Sequence, residues 1–326
     1  MKNFTKIALI LSLALVILGS LCCAVSIGIG FNFNDFWSDV EDGAYGFGPL
    51  GDVREAIWNN RFNWKDDGEG WSSASTEDFT FEWQGEDAEN TVDKLDLKVY
   101  YGTVKIVRNE EDSDTIQVTV EYRKKNHRRK VEAYKDGTTL RILETGSKRS
   151  WNNDSTRITI RLPQEMENQD KALQEIFLQQ DAGDIYVDML PVANKIGFTV
   201  NAGECVVYSK LRALEEYKAD VDVGHIDLEE VEAPLVTLNS NVGQIDAEEI
   251  TAEDIFIDCG IGAIDAVVSG REQDYNYEIS CGVGEVSVGD SDYSSLGSRK
   301  NLDNSADKSI QIECGVGEVD LSFEKD

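Results

Sequence analysis

The chain has 326 residues, 62 of them acidic and 31 basic, for a formal net charge of −31. An acid excess of this size repels phosphate backbones and argues against broad nucleic-acid binding. Six cysteines with no Cys-x-x-Cys pair, and only two histidines, leave zinc and redox motifs without support. No Gly-x-Ser-x-Gly elbow, phosphate loop or His-Glu-x-x-His is present, so no cofactor is expected and the chain reads as a non-enzyme.

Residues 7–29 form an unbroken run without a charged side chain, long enough to cross a bilayer. Lys2 and Lys6 precede the run, and Asp35, Asp39, Glu41 and Asp42 follow it. That asymmetry predicts a transmembrane helix over 7–29, with residues 1–6 in the cytoplasm and the rest outside a bacterial cell membrane. A cleaved signal peptide competes with this reading, because Cys22-Cys23-Ala24 offers small residues at a cut site. Residues 30–91 carry five of the six tryptophans and little periodicity, and are expected to be an acidic, aromatic stalk.

Strand grammar begins at Val92. Leu95, Leu97, Val99 and Tyr101 alternate up to Gly102, and Val104 and Ile106 alternate after it. Thr115–Tyr122, Thr139–Leu143 and Arg157–Leu162 alternate too, and predict a broader first half. Past a polar, partly helical linker at Pro163–Lys171, one unit then repeats seven times. It reads Asp181-Ala182-Gly183-Asp184-Ile185-Tyr186-Val187 first and Gly315-Val316-Gly317-Glu318-Val319-Asp320-Leu321 last. The central glycines (183, 203, 224, 243, 262, 284 and 317) recur at intervals of 20, 21, 19, 19, 22 and 33 residues. A period near 20 is a solenoid signature, and the alternation slips phase at each glycine, as a corner requires. The expected fold is all-β: a parallel β-solenoid or β-helix of about 20-residue coils over 92–322, with 323–326 as a tail. A sandwich of short strands is the rival fold.

Leu95-Asp96-Leu97-Lys98-Val99 before Gly102, then Ile158-Thr159-Ile160-Arg161-Leu162-Pro163, then serial Gly-x-Ile-x-Val coils, resembles the bacterial "putative adhesin" β-strand-repeat family. The resemblance covers about residues 92–322. It implies an extracytoplasmic solenoid on envelope-anchored proteins, some linked to envelope stress, and it implies no activity.

Several side-chain groups stand out as candidate sites. Asp227, Asp246 and Asp265 sit three residues after successive glycines, so stacked coils would make them an acidic ladder. Ca²⁺ could relieve its repulsion weakly, although the calcium β-roll pattern is missing. The same carboxylates are the alternative, catalytic reading: a polysaccharide-active β-helix enzyme. Asp181, Asn201, Asp222 and Asn241 form a second column that reads as turn and stacking chemistry. Cys259, Cys281 and Cys314 share an inward phase and read as buried thiols, with a disulfide as the rival.

His225 falls at an outward coil position and reads as a surface residue. Arg123, Lys124, Lys125, His127, Arg128, Arg129 and Lys130 form the one basic block, a candidate contact for an anionic ligand placed in a hairpin loop between Tyr122 and Val131. The partners expected are an envelope polymer or an envelope protein, with no nucleic acid. The short tail after Leu321 leaves the last coil open, which predicts self-association through that end. The function read from all of this is an adhesin-like binding, scaffolding or envelope-stress module.

Overall fold

The computed structural model describes residues 75–84, 91–109, 114–122, 129–146, 156–167, 172–289 and 291–324. All belong to one of two compact units, Ser73–Ser147 with Asp154–Asp326. The other unit, Met1–Ser72 with Lys148–Asn153, lies outside the described residues, and with it the expected transmembrane helix.

Thirteen strands make one sheet. The first six are β1 (Ser75–Glu82), β2 (Lys94–Arg108), β3 (Thr115–Tyr122), β4 (Arg129–Asp136), β5 (Thr139–Gly146) and β6 (Thr156–Leu162). Then follow the coil strands β7 (Leu173–Val187), β8 (Ala193–Glu232), β9 (Leu235–Thr251), β10 (Asp254–Val268) and β11 (Tyr275–Val288), the return strand β12 (Ser291–Leu302) and the last coil strand β13 (Lys308–Phe323). β8 is 40 residues long because it holds two coils, cornered at Gly203 and Gly224. The polar linker contains one turn of 3-10 helix, Gln164–Glu167.

β2 is the first complete coil and the hinge between the two halves. Its pre-corner part pairs with β5 and its post-corner part with β6, while β7 stacks along its whole length. β5 carries β4, and β6 carries β3 and then β1, all antiparallel. The sheet therefore begins at Ser75, inside the stretch expected to be stalk. Trp83, just after β1, is buried in the core, which explains one stalk tryptophan.

From β2 onward the coils pair in parallel and in register, so each position meets its equivalent one coil away. Ile226, Ile245, Ile264 and Val319 stack inside, as do Leu238, Ile257 and Ile312. The corner glycines stack as well, and this is what makes them obligatory. Gly183 has φ of 127° and Gly243 157°, a region closed to other residues. A Cβ on Gly243 would lie 1.7 Å from the carbonyl oxygen of Gly224, and one on Gly262 1.6 Å from that of Gly243. Those oxygens are backbone, so nothing gives way.

The order of the last coils corrects the sequence reading. The sheet runs β9-β10-β13-β11-β12, so the C-terminal strand is inserted between β10 and β11. The reason lies in the insertion after Gly289. β12 folds back antiparallel on the outer edge of β11, pairing Val288 with Ser291 and Tyr277 with Leu302. With that edge taken, β13 pairs with the inner edge of β11 and the outer edge of β10. The link from β10 to β11 must then pass over an intervening strand, about 10 Å. Residues Ser269–Asp274 span it, and Asn304 holds the crossing by donating to the carbonyls of Glu272 (3.1 Å) and Tyr275 (2.8 Å). Leu321 is fully buried, so the open end expected there does not exist; among the described residues the terminal strand on that side is β12.

Two outcomes follow. Gly243→Ala combines a disfavoured φ with a backbone clash and should cost at least about 3 kcal/mol, read as a fall in Tm. A chain ending at Asp307 loses an interior strand and not a tail; it should unfold or aggregate, with protection from proteolysis lost across β10 and β11 as well.

Candidate functional site

The corner columns carry the side chains with something to offer a partner. In the last five coils the residue just before the corner glycine and the one two places after it are both apolar, yet only the second is buried. Val223 (54% exposed), Val242 (45%), Ile261 (39%), Val316 (47%) and Val283 (47%) all point outward. The positive φ at the glycine turns the chain so that burial resumes only two residues later, at Ile226, Ile245, Ile264, Val319 and Val286. In-register pairing makes the five exposed side chains one continuous ridge, in the order Val223, Val242, Ile261, Val316, Val283. An exposed apolar strip of this kind marks an interaction surface more often than an accident.

The ridge is bordered by acid. Asp222, Asp258 and Glu313 are exposed on one side, and Asp265, Glu318 and Asp320 on the other. No lysine or arginine occupies the coil positions two and four residues before the glycine, or one and three after it, from β7 to β11. In coils β10, β13 and β11 a glycine also precedes the ridge residue (Gly260, Gly315, Gly282), so the ridge stands clear of its neighbours there.

The acidic ladder forms as expected and gains a member. Asp227, Asp246 and Asp265 are in register, and Asp320 follows Asp265 because β13 lies next to β10. His225 is not the plain surface residue the sequence implied. Its Nε2 lies 2.8 Å from Asp246 Oδ2 in the next coil, and its Nδ1 3.5 Å from Glu204 Oε1 in the preceding one. Gln244 Nε2 donates to both Asp246 oxygens at 2.9 Å. Glu204 accepts from the Tyr186 hydroxyl at 3.1 Å, and Asp184 accepts from the Glu204 backbone N–H at 3.2 Å.

Burial opposes a charge on His225, but the hydrogen bonds and opposite charges of Asp246 and Glu204 prevail and lift its pKa to about 9. Asp184 moves up to about 6, first through burial and then through the neighbouring Glu204 carboxylate. Among the described residues no three His, Cys, Asp or Glu side chains converge to hold a metal ion.

The second column pairs across coils: Asn201 Nδ2 donates to Asp181 (3.2 Å) and Asn241 Nδ2 to Asp222 (2.8 Å). It is a structural ladder in which amides alternate with carboxylates. The basic block is only partly placed. Residues 123–128 lie outside the described residues, Arg129 opens β4, and Lys130 is exposed, 3.8 Å from Glu132. The strands that flank the block do not pair with each other: β3 pairs with β1 and β6, while β4 pairs with β5. The Tyr122 hydroxyl accepts from the Val131 N–H at 2.9 Å and ties the two ends together.

Residues 92–322 match the profile of one protein family, described as Toastrack DUF4097. The chain belongs to that family. No curated protein matches it. Among solved structures, the Toastrack chain is similar to a "putative cell adhesion protein" from Clostridium sporogenes (13% identity, TM-score 0.37, covering 77% of this chain and 100% of that one). It is also similar to a "putative adhesin" from Parabacteroides merdae (11%, TM-score 0.41, 78% and 98%) and another from Bacteroides fragilis (14%, TM-score 0.36, 76% and 98%). The ridge was legible in the Toastrack sequence as a Val or Ile before the corner glycine of the last five coils, but alternation alone does not say which side of a corner such a residue takes.

The His225 bridge makes a pH test. Its folded-state pKa lies above the ordinary 6.5, so its contribution is complete below about pH 6.5 and is lost as pH rises through about 9. The wild-type Tm should fall across that window, and His225→Gln should flatten the fall. At pH 7 the substitution should cost about 1 kcal/mol, given the part exposure of the ring.

Proposed function

We propose that this Toastrack domain is an adhesin-like binding module and that the corner ridge is its contact surface. The observation that carries the reading is five exposed β-branched side chains in one register column, between carboxylates and without a lysine or arginine in the flanking columns. A polyanionic polymer would be repelled there. An envelope protein segment with an apolar stripe edged by Lys or Arg matches both the greasy strip and its borders. The anchor over residues 7–29 would hold the domain on the outer side of a bacterial membrane, within reach of such a partner. Residues 123–130 remain the proposed contact for an anionic envelope polymer.

No observation favours the enzymatic alternative. Asp246, the carboxylate it would need, is already engaged by His225 and Gln244.

Binding of the full chain to a synthetic Leu/Lys amphipathic peptide and to purified teichoic acid, across a salt series, tests the assignment. The peptide should bind, weaken as salt rises, and weaken at least about tenfold, near 1.4 kcal/mol, in a Val242→Asp/Val316→Asp chain. Teichoic acid binding, if present, should survive that variant and depend on residues 123–130. A peptide held equally by both chains would remove the ridge from the function.

A further inference from the structure

We propose that Cys314 forms a disulfide with one of the two cysteines stacked against it, Cys259 or Cys281, and that this bond locks β13 into the interior of the sheet. The three are far apart in sequence and do not follow one another along the coils in chain order. The insertion of β13 brings them together: Cys259 of β10 is in register with Cys314 of β13, which is in register with Cys281 of β11. All three are inward and buried (0%, 3% and 1% exposed), and all are thiols in this structure.

Position favours the bond. In-register neighbours on parallel strands lie about 4.8 Å apart, within the roughly 4.4–6.8 Å between Cα atoms that a disulfide spans. Their Cβ atoms run side by side at a similar spacing, so bonding draws them together by about 1 Å. That leaves some strain, which makes the bond more easily reduced than a relaxed structural disulfide.

The thiols already interact. Cys314 shares a hydrogen bond with Cys259 that favours the thiolate there, while burial pushes the Cys281 thiol up. Cys281 shares a hydrogen bond with Cys314 as well, and its Sγ also donates to the Gly317 carbonyl at 3.5 Å. Cys205, the other described cysteine, sits after its corner at Gly203 and outside this column.

The chemistry is thiol–disulfide exchange with a small disulfide, RSSR. The Cys259 thiolate attacks one sulfur of RSSR and releases RS⁻, leaving a mixed disulfide. The Cys314 thiolate attacks the Cys259 sulfur and displaces the second RS⁻. The two leaving thiolates take up the two protons lost by the cysteines, so two protein thiols and one RSSR become one protein disulfide and two RSH. The same exchange through Cys281 closes the other rung. Three thiols in a row can make only one bond, and Cys314 belongs to either. β13 follows all its pairing partners in the chain, so Cys314 is open to exchange until the strand docks.

The test is refolding of the full chain with oxidised glutathione, then alkylation of remaining thiols and peptide mass spectrometry. One disulfide containing Cys314 is expected, and the oxidised chain should melt several degrees above the reduced one. Cys259→Ser should retain a Cys281–Cys314 bond, Cys281→Ser a Cys259–Cys314 bond, and the double variant neither. Alkylation of all three thiols, a bond that omits Cys314, or equal melting of oxidised and reduced chains would each overturn the proposal.

Discussion

The structure depends on a column of glycine corners in which each Cα rests against the carbonyl oxygen of the coil beside it. A side chain there would sit 1.5–1.9 Å from that oxygen in every coil from Gly183 to Gly317. This contact allows strands to turn in unison and remain in hydrogen-bonding register on both sides of the bend. A corner built from any larger residue would push its coil outward and break two ladders at once. Each coil buries its apolar face only because its neighbours bend at the same place.

In-register stacking gives every position a single environment repeated along the sheet. Inside the corner the column accepts small or compact groups: Val200, Val221, Ser240, Cys259, Cys314 and Cys281. Gln180 is the exception in the coil next to β2, and its amide donates to the Gly102 carbonyl. Outside the corner the same rule lines up Val and Ile into a ridge and Asp into a ladder. Like charges about 5 Å apart cost roughly 1 kcal/mol per pair in water, and His225 offsets part of that by joining Glu204 to Asp246 across three coils. The acidic surface is thus held together at one point by its single described histidine.

The two ends of the sheet are finished differently from its middle. At the amino-terminal end β2 hands its two halves to separate parallel strands, β5 and β6, which antiparallel strands then cover, and at the other end β12 turns back on β11. Among the described residues none of these covering strands carries a positive-φ corner glycine, so they can cover a coil without inviting another. The position of β13 follows from that economy: with the outer edge of β11 covered, the last repeat has an equivalent template on each side of a single gap.

The sequence by itself determined the repeat, its period, the corners and the inward face, because alternation and glycine spacing are local and each coil states them independently. It also located the acidic ladder and the inward phase of the three cysteines. It could not decide the order of the coils. Repeats this alike offer interchangeable edges, and which edge β13 takes depends on where β12 has already folded. Nor could it place Val242 and Ile261 outside the corner or Ser75–Glu82 inside the sheet, since an apolar residue beside a bend serves either face until the packing of neighbouring coils fixes its direction. The meeting of Cys259, Cys314 and Cys281, the Glu204–His225–Asp246 bridge and the exposed ridge are therefore products of tertiary stacking. Each joins residues whose nearness no local pattern encodes.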